Sequence, residues 1–349
     1  MNLRTLLPQL KSRVTAGSSA GGTGSRTLPL IALVSLSAIA WAAGPQQGGP
    51  LPQPFPLFPR DNWWNVDITW APVDWNSNAY INYINWPDTK VLHPSLGGDV
   101  GWWTDETWGT PYIVVDGWQP KVMVNFYYWT ESDGVGYPFY PIPDEAIWEP
   151  RWIQSGWPGV VDARAEHDRH MLIVDRDNNY LYELWNVWFD VNNWQWYAGG
   201  GAFFDMNTNN RRPEGWTSAD AAGLAILPGL IRYEEVYGPD EIEHAFRMTV
   251  RATNGYVYPA SHLTSFNPGA LPMGARLRLR ADVDISGFPW EVQKIFRALK
   301  KYGLIVADNG GDMQVGGTYD RRWNNDIMNP AFHRLTAWDF EVIQLGYQP

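Results

Sequence analysis

The chain has 349 residues, with 37 Asp and Glu against 26 Lys and Arg, 22 Trp and no Cys. The absence of thiols excludes a disulfide framework and thiolate metal or nucleophile chemistry. The acid excess disfavours nucleic acid and anionic membrane surfaces as partners, which leaves neutral ligands and a fold stabilised by core burial.

Residues 1–43 read as a secretory signal peptide. Arg4, Lys11, Arg13 and Arg26 form a basic leader without an acid, residues 28–40 are an apolar run, and Ala40-Trp41-Ala42 supplies a small-x-small cleavage pattern. An uncleaved anchor is the alternative, but the run is short for a spanning helix. Cleavage leaves 22 Lys and Arg against all 37 acids, so the expectation is a secreted, extracellular or periplasmic protein with no membrane contact. Residues 44–60 are rich in Pro, Gly and Gln and read as an extended linker. Residues 61–349 then form a single Trp-rich module.

Within that module, residues 112–116 and 121–128 read as strands. The second alternates Val122, Val124, Phe126 and Tyr128 with Met123, Asn125 and Tyr127. Residues 130–157 are Pro- and aromatic-rich loop. Residues 170–175 and 180–188 flank Arg176-Asp177-Asn178-Asn179 and predict a β-hairpin. Short strands are expected at 194–197, 202–206, 243–251, 255–259 and 276–283, with Gly199-Gly200-Gly201 as a turn or bulge. Ser218 predicts the N-cap of a short helix to residue 225, with Asp220 in its first turn. A longer helix is expected over 289–302 from the stripe Val292, Ile295, Phe296, Leu299 and Tyr302, ended by Gly303. Residues 304–307 and 313–315 read as a closing hairpin. Together these elements predict a mainly β fold, an antiparallel β-sandwich or jelly roll with a few peripheral helices.

The first hairpin makes a geometric prediction. A turn centred on Asp177-Asn178 pairs Leu172 with Glu183 and His170 with Trp185, and places Asp168, His170, Glu183 and Trp185 on one sheet face. A carboxylate beside an imidazole and an indole suits general acid/base chemistry. The same pair equally reads as buried polar support for the sheet. Glycoside hydrolysis needs two carboxylates, and the candidates are Glu183, Asp168, Asp220, Glu234, Glu235 and Asp308. On ideal strands the Cα offset behind an Asp168–Glu183 pair is about 13 Å, which makes Asp168 the weaker partner. His170, His244 and His262 could converge as a three-imidazole metal site, although no HxH or HExxH pattern supports it. No GxSxG element is present in residues 61–349.

Indole faces are suited to stacking on sugar rings. The reading is a secreted glycoside hydrolase acting on a neutral polysaccharide without a cofactor. Glu183 is its acid or nucleophile, Asp168 its second carboxylate and His170 an orienting group. Trp102, Trp103, Trp185 and Trp188 are its stacking platforms. A non-catalytic glycan or cell-envelope binding protein is the first alternative, and a His-ligated metal-dependent hydrolase or oxidase the second.

At residues 167–185 (HDRHMLIVDRDNNYLYELW), 215–236, 285–312 and 321–326 (RRWNND), the chain resembles a group of exported bacterial Trp-rich proteins of uncharacterised activity. The likeness runs from about Asp61 to the C-terminus and implies one exported module with no transferable catalytic residue. In composition and strand density it is also loosely similar to jelly-roll polysaccharide-degrading enzymes.

Overall fold

The computed structural model describes residues 44–101 and 106–349. The expected leader, Trp102 and Trp103 lie outside them. At the centre is the hairpin of Met171–Asp175 and Tyr180–Trp185, in the expected register: Leu172 opposes Glu183 and Met171 opposes Leu184. Its turn is built by Asp175. One carboxylate oxygen accepts the backbone N–H groups of Asp177 and Asn178 at 3.1 Å, and the other accepts the Asn178 amide at 2.7 Å. Asn179 then closes the turn in the left-handed region (φ 57°), which Asn tolerates better than most residues. The device recurs at Asp190, which holds Asn192 and Asn193 ahead of Trp194 (φ 54°).

Fourteen strands among the described residues form three sheets, none closed into a barrel, with few helices. The fold is mainly β. The first sheet runs in the order Gln46–Gln47, Tyr112–Val115, Met171–Asp175, Tyr180–Trp185, Gly200–Asp205. The second runs Phe340–Val342, Arg276–Leu279, Leu304–Asn309, Phe246–Val250, Gln314–Tyr319, His93–Gly97. The third joins Val124–Phe126, Gln195–Ala198 and Trp188–Asp190.

All three sheets are mixed rather than purely antiparallel. Tyr112–Val115 is parallel to Met171–Asp175, and Phe246–Val250 is parallel to Leu304–Asn309. The expected closing hairpin does not form. Phe246–Val250 inserts between Leu304–Asn309 and Gln314–Tyr319 and pairs with both. The reason is visible in the composition, since residues 304–307 are apolar on both faces and all buried, the pattern of a central strand.

Two further expectations are corrected. Residues 218–225 are not helical: the Ser218 hydroxyl instead shares its single proton between the carbonyls of Asp220 (2.7 Å) and Leu224 (2.6 Å), tying down a loop. The 44–60 stretch is not a free linker. Gln46–Gln47 pairs with residues 113–114, the Tyr112 hydroxyl donates to the Gly49 carbonyl, and Leu51, Leu57 and Phe58 enter the core.

The first sheet is packed on both faces. Leu172, Val174, Leu181 and Phe204 share one large cluster with Phe246, Met248, Leu277 and Val306 of the second sheet. Met171, Ile173, Tyr182 and Leu184 face a smaller cluster with Val124, Tyr140 and Trp196. The helix Trp290–Lys301 covers the second sheet with its predicted stripe, and all five stripe residues are buried. No helix among the described residues is long and apolar enough to cross a membrane.

Gly303 ends that helix at φ +74°, and a Cβ there would overlap the Leu277 carbonyl and meet the Ile68 side chain at 2.9 Å. Gly303→Ala should therefore lower stability by roughly 1–3 kcal/mol, read as a fall in the urea midpoint at unchanged m-value.

Candidate functional site

Beyond its last ladder pair, the hairpin loses strand geometry at two residues. Arg169 (φ 55°) and Asn186 (φ 59°) both enter the left-handed region. Arg169 is held there by its fully buried guanidinium, which donates to the carbonyls of Trp157 (2.6 Å), Pro158 (3.0 Å), Val161 (3.3 Å) and Val187 (3.4 Å). Burial lowers its pKa to about 10. The break separates neighbours in sequence, leaving Asp168 exposed and His170 buried. Past Asn186 the alternation fails, and Val187 joins the smaller core.

A second irregularity comes from the other sheet. The ladder between Phe246–Val250 and Leu304–Asn309 slips at Met248/Thr249, so that Val306 opposes Met248 and Asp308 opposes Thr249, with Ala307 bulged between them. Bulges re-aim side chains at sheet ends. Here Val306 and Ala307 both stay in the core while Asp308 is half-buried at the edge.

These two ends meet in a cleft of about 400 Å³. Asp168 and Trp185 line it from the first sheet, Asp308 and Asn309 from the second, and Tyr128, Glu131 and His262 from connecting segments. The Trp185 and Tyr128 rings lie 6.1 Å apart at 32°. Trp185 reaches this position over glycine: a Cβ on Gly199 would overlap its ring, while a Cβ on Gly201 would overlap the Tyr140 hydroxyl. Gly200, between them, opens onto the cleft. His262 donates through Nδ1 to the Ala221 carbonyl (2.9 Å), and its Nε2 lies 4.0 Å from Glu131.

The carboxylates of the cleft differ in their surroundings. Burial, reinforced by the nearby Asp220 carboxylate, pushes Asp308 up to about 7, against the pull of Arg247. Asp220 itself lies behind the cleft in a bidentate pair with Arg247, both bonds 2.7 Å. Among the described residues no Lys or Arg reaches ion-pair distance of Asp168 or Asp308. By contrast, Asp320 and Glu234, beside another cavity of about 440 Å³, are both paired with Arg322.

Glu183 is on the expected face but fully buried, outside the cleft lining. Its oxygens accept the N–H groups of Ile226 (2.7 and 3.0 Å) and Leu227 (2.9 Å), at the start of the turn Leu227–Gly229. Burial pushes its pKa up to about 8 even though both N–H donors favour the charged form. His170 is buried too, between the Gln154 side chain and the Ala219 carbonyl (2.9 Å). Burial lowers its pKa. The diagonal Glu183–His170 arrangement is thus structural support, each group being committed to its own backbone segment.

The three imidazoles do not converge. His244 is occupied by Glu235 (3.1 Å) and the Ala245 carbonyl (2.8 Å), and no group of three or more His, Asp or Glu among the described residues is placed to hold a metal ion. Glu235 also pairs with Arg232. Trp188 is half-buried, stacked on Tyr197 at 5.7 Å under the Arg164 guanidinium. Sequence reasoning missed Glu131 and Tyr128 as cleft residues and offered Asp308 only as one of six candidate carboxylates. Nothing local marks them, because the ends of two different sheets bring them together.

Comparison with known protein families, with curated proteins and with solved structures finds no match.

Glu183 holds its proton more tightly in the folded chain than when exposed. Its contribution to stability is therefore fully present below the ordinary carboxyl range and is lost as pH rises through about 8. The unfolding free energy from urea titrations should fall between about pH 5 and 8, by on the order of 1 kcal/mol per pH unit. Glu183→Gln should flatten that slope. A variant as pH-sensitive as the parent would place the titration elsewhere.

Proposed function

We propose that the protein is a secreted carbohydrate-active enzyme, a glycoside hydrolase acting on a neutral polysaccharide, with Asp308 and Asp168 as its carboxylate pair. The observation that carries this reading is one cleft holding an exposed carboxylate and a protonatable one beside the Trp185–Tyr128 face. Asp308, kept protonated near neutral pH, donates to the glycosidic oxygen as the C–O bond breaks. Asp168, open to water, takes the proton of the water molecule whose oxygen forms the new bond to the sugar. Trp185 and Tyr128 stack on the sugar ring, and Asn309 supplies hydrogen bonds to hydroxyls. Its amide is oriented by Thr253 (3.0 Å) and Ser265 (3.3 Å). Relative to the sequence-based expectation, the acid role moves from Glu183 to Asp308, and His262 replaces His170 as the imidazole at the site.

The exposure of the tryptophans supports a polysaccharide partner. Of the nineteen among the described residues, ten are exposed, four half-buried and five buried, so most of the indole surface is not core filler. The two large sheets, sharing one core, read as the layers of a β-sandwich. The leader and the resemblance to exported Trp-rich proteins favour secretion. A purely glycan-binding role is the second reading, favoured by Trp70 and Trp75, which stand 94% and 93% exposed.

Incubation with a panel of neutral polysaccharides should release new reducing ends. Asp308→Asn and Asp168→Asn should each reduce that rate by roughly 10²–10⁴ with unchanged circular dichroism, and activity should decline as pH rises past about 7. Retention on the polymer without new ends would select the binding reading, and full activity in both variants would remove the pair from the mechanism.

A further inference from the structure

The cleft does not end at Asp168. On the far side of Asp168 and Trp185 lies a second cavity of about 340 Å³, lined by Gln154, Arg164, His167 and Asn186 and by Asp168 and Trp185 themselves. Asp168 and Trp185 line both spaces, so the two cavities adjoin at these residues. The volumes, about 400 and 340 Å³, each fall within the usual range for small-ligand sites, roughly 300–1,000 Å³.

We propose that the two cavities form one groove that holds consecutive sugar units of a neutral polysaccharide on either side of Asp168 and Trp185, so that cleavage falls within the chain rather than at its ends. This rests on the carboxylate-pair reading above. Three observations support it. First, Asp168 is the carboxylate at the junction, where a bond joining units in the two cavities must lie. Second, the second cavity presents hydrogen-bonding groups in fixed positions. The Gln154 side-chain oxygen is held by the His170 N–H (3.1 Å), the Asn186 amide donates to the Arg164 carbonyl (3.2 Å), and Arg164 is locked by Asp162 (2.6 and 2.8 Å) and by the Trp188 ring. Such a surface suits a hydroxyl-rich ligand. Third, Glu131 and Asp168 on one side and Glu166 on the other repel carboxylated or sulfated polymers, since Arg164 is already neutralised by Asp162.

The test separates this inference from the reading beneath it. Asp308→Asn protein, which should bind without turnover, is titrated by calorimetry with neutral oligosaccharides of increasing length. Affinity should rise again once the ligand is long enough to pass Asp168. Ala165→Trp, at an exposed residue lining only the second cavity, should abolish that second increment, about tenfold, while leaving the shortest ligands unaffected. His167→Ala is a smaller change that should reduce the increment if the tryptophan variant does not fold. In parallel, the active enzyme should give a spread of product lengths from a soluble polymer at early times. Affinity that stops growing at the first cavity, Ala165→Trp binding long chains like the parent, or release of a single short product from chain ends would overturn the inference while leaving the cleft assignment standing. No binding by any oligosaccharide would remove the cleft assignment, and the groove with it.

Discussion

Because the first sheet is buried on both faces, an ionisable group within it must be neutral, paired or fully hydrogen-bonded. That constraint sorts nearly every charged residue near the hairpin. Glu183 lies fully inside and is held as a neutral acid over two backbone N–H groups. Asp220 lies equally deep and is neutralised by Arg247 through two parallel bonds. Arg169 has no carboxylate partner in hydrogen-bond contact, and its charge is spread over four carbonyls. Only at the sheet ends, where water enters, does Asp168 avoid these solutions, while the half-buried Asp308 beside it holds its proton more tightly than a free carboxyl. The site is therefore the place where the burial rule relaxes.

That relaxation depends on irregular backbone. In a regular strand, Asp168 and His170 would point to the same side, and both would be buried or both exposed. The left-handed Arg169 lets one face water while the other bonds to Ala219. On the opposite wall, the bulge at Ala307 lets Val306 and Ala307 both stay in the core before Asp308 turns outward. Non-Gly residues at positive φ carry a conformational cost, which the buried guanidinium of Arg169 offsets by satisfying carbonyls that would otherwise be orphaned. The Ala222 N–H bonded to the Ala307 carbonyl at 2.9 Å ties the loop roofing the cleft to the bulge itself. The two walls and the roof are thus mechanically connected.

What was legible in the sequence was local. The Asp-Arg-Asp-Asn-Asn turn set the hairpin register because Asp175 satisfies the turn's own N–H groups, whatever the rest of the chain does. The helix Trp290–Lys301 followed from its 3.6-residue periodicity and its terminal glycine. What failed depended on distant chain. Ser218 and Asp220 suggested a helix cap, but Arg247 claims the Asp220 carboxylate and the Ser218 hydroxyl closes a loop. Leu304–Asn309 and Gln314–Tyr319 look like hairpin partners until Phe246–Val250 enters between them. Residues 44–60 carry a linker's composition, yet Leu51, Leu57 and Phe58 are buried. Asp308 and Asp168, 140 residues apart in sequence, share a cleft only because two sheets end at the same place, which no spacing rule encodes.

The aromatic residues follow the same division between core and edge. Trp64, Trp152 and Trp196 are buried and fill volume between sheets, whereas Trp185 is half-buried, one part packed on the large core and one part open to the cleft. A ring can occupy that position only if the neighbouring strand has no side chain under it. Gly199-Gly200-Gly201 meets that requirement: Gly199 clears the indole, Gly201 clears Tyr140, and Gly200 leaves the cleft open. A triplet that reads as a turn or bulge is also the surface on which Trp185 rests. Its three missing side chains and the position of the indole are one structural feature. Adding a Cβ at Gly199 would overlap the indole, so the shape of the glycine strand directly sets the position of the ring in the cleft.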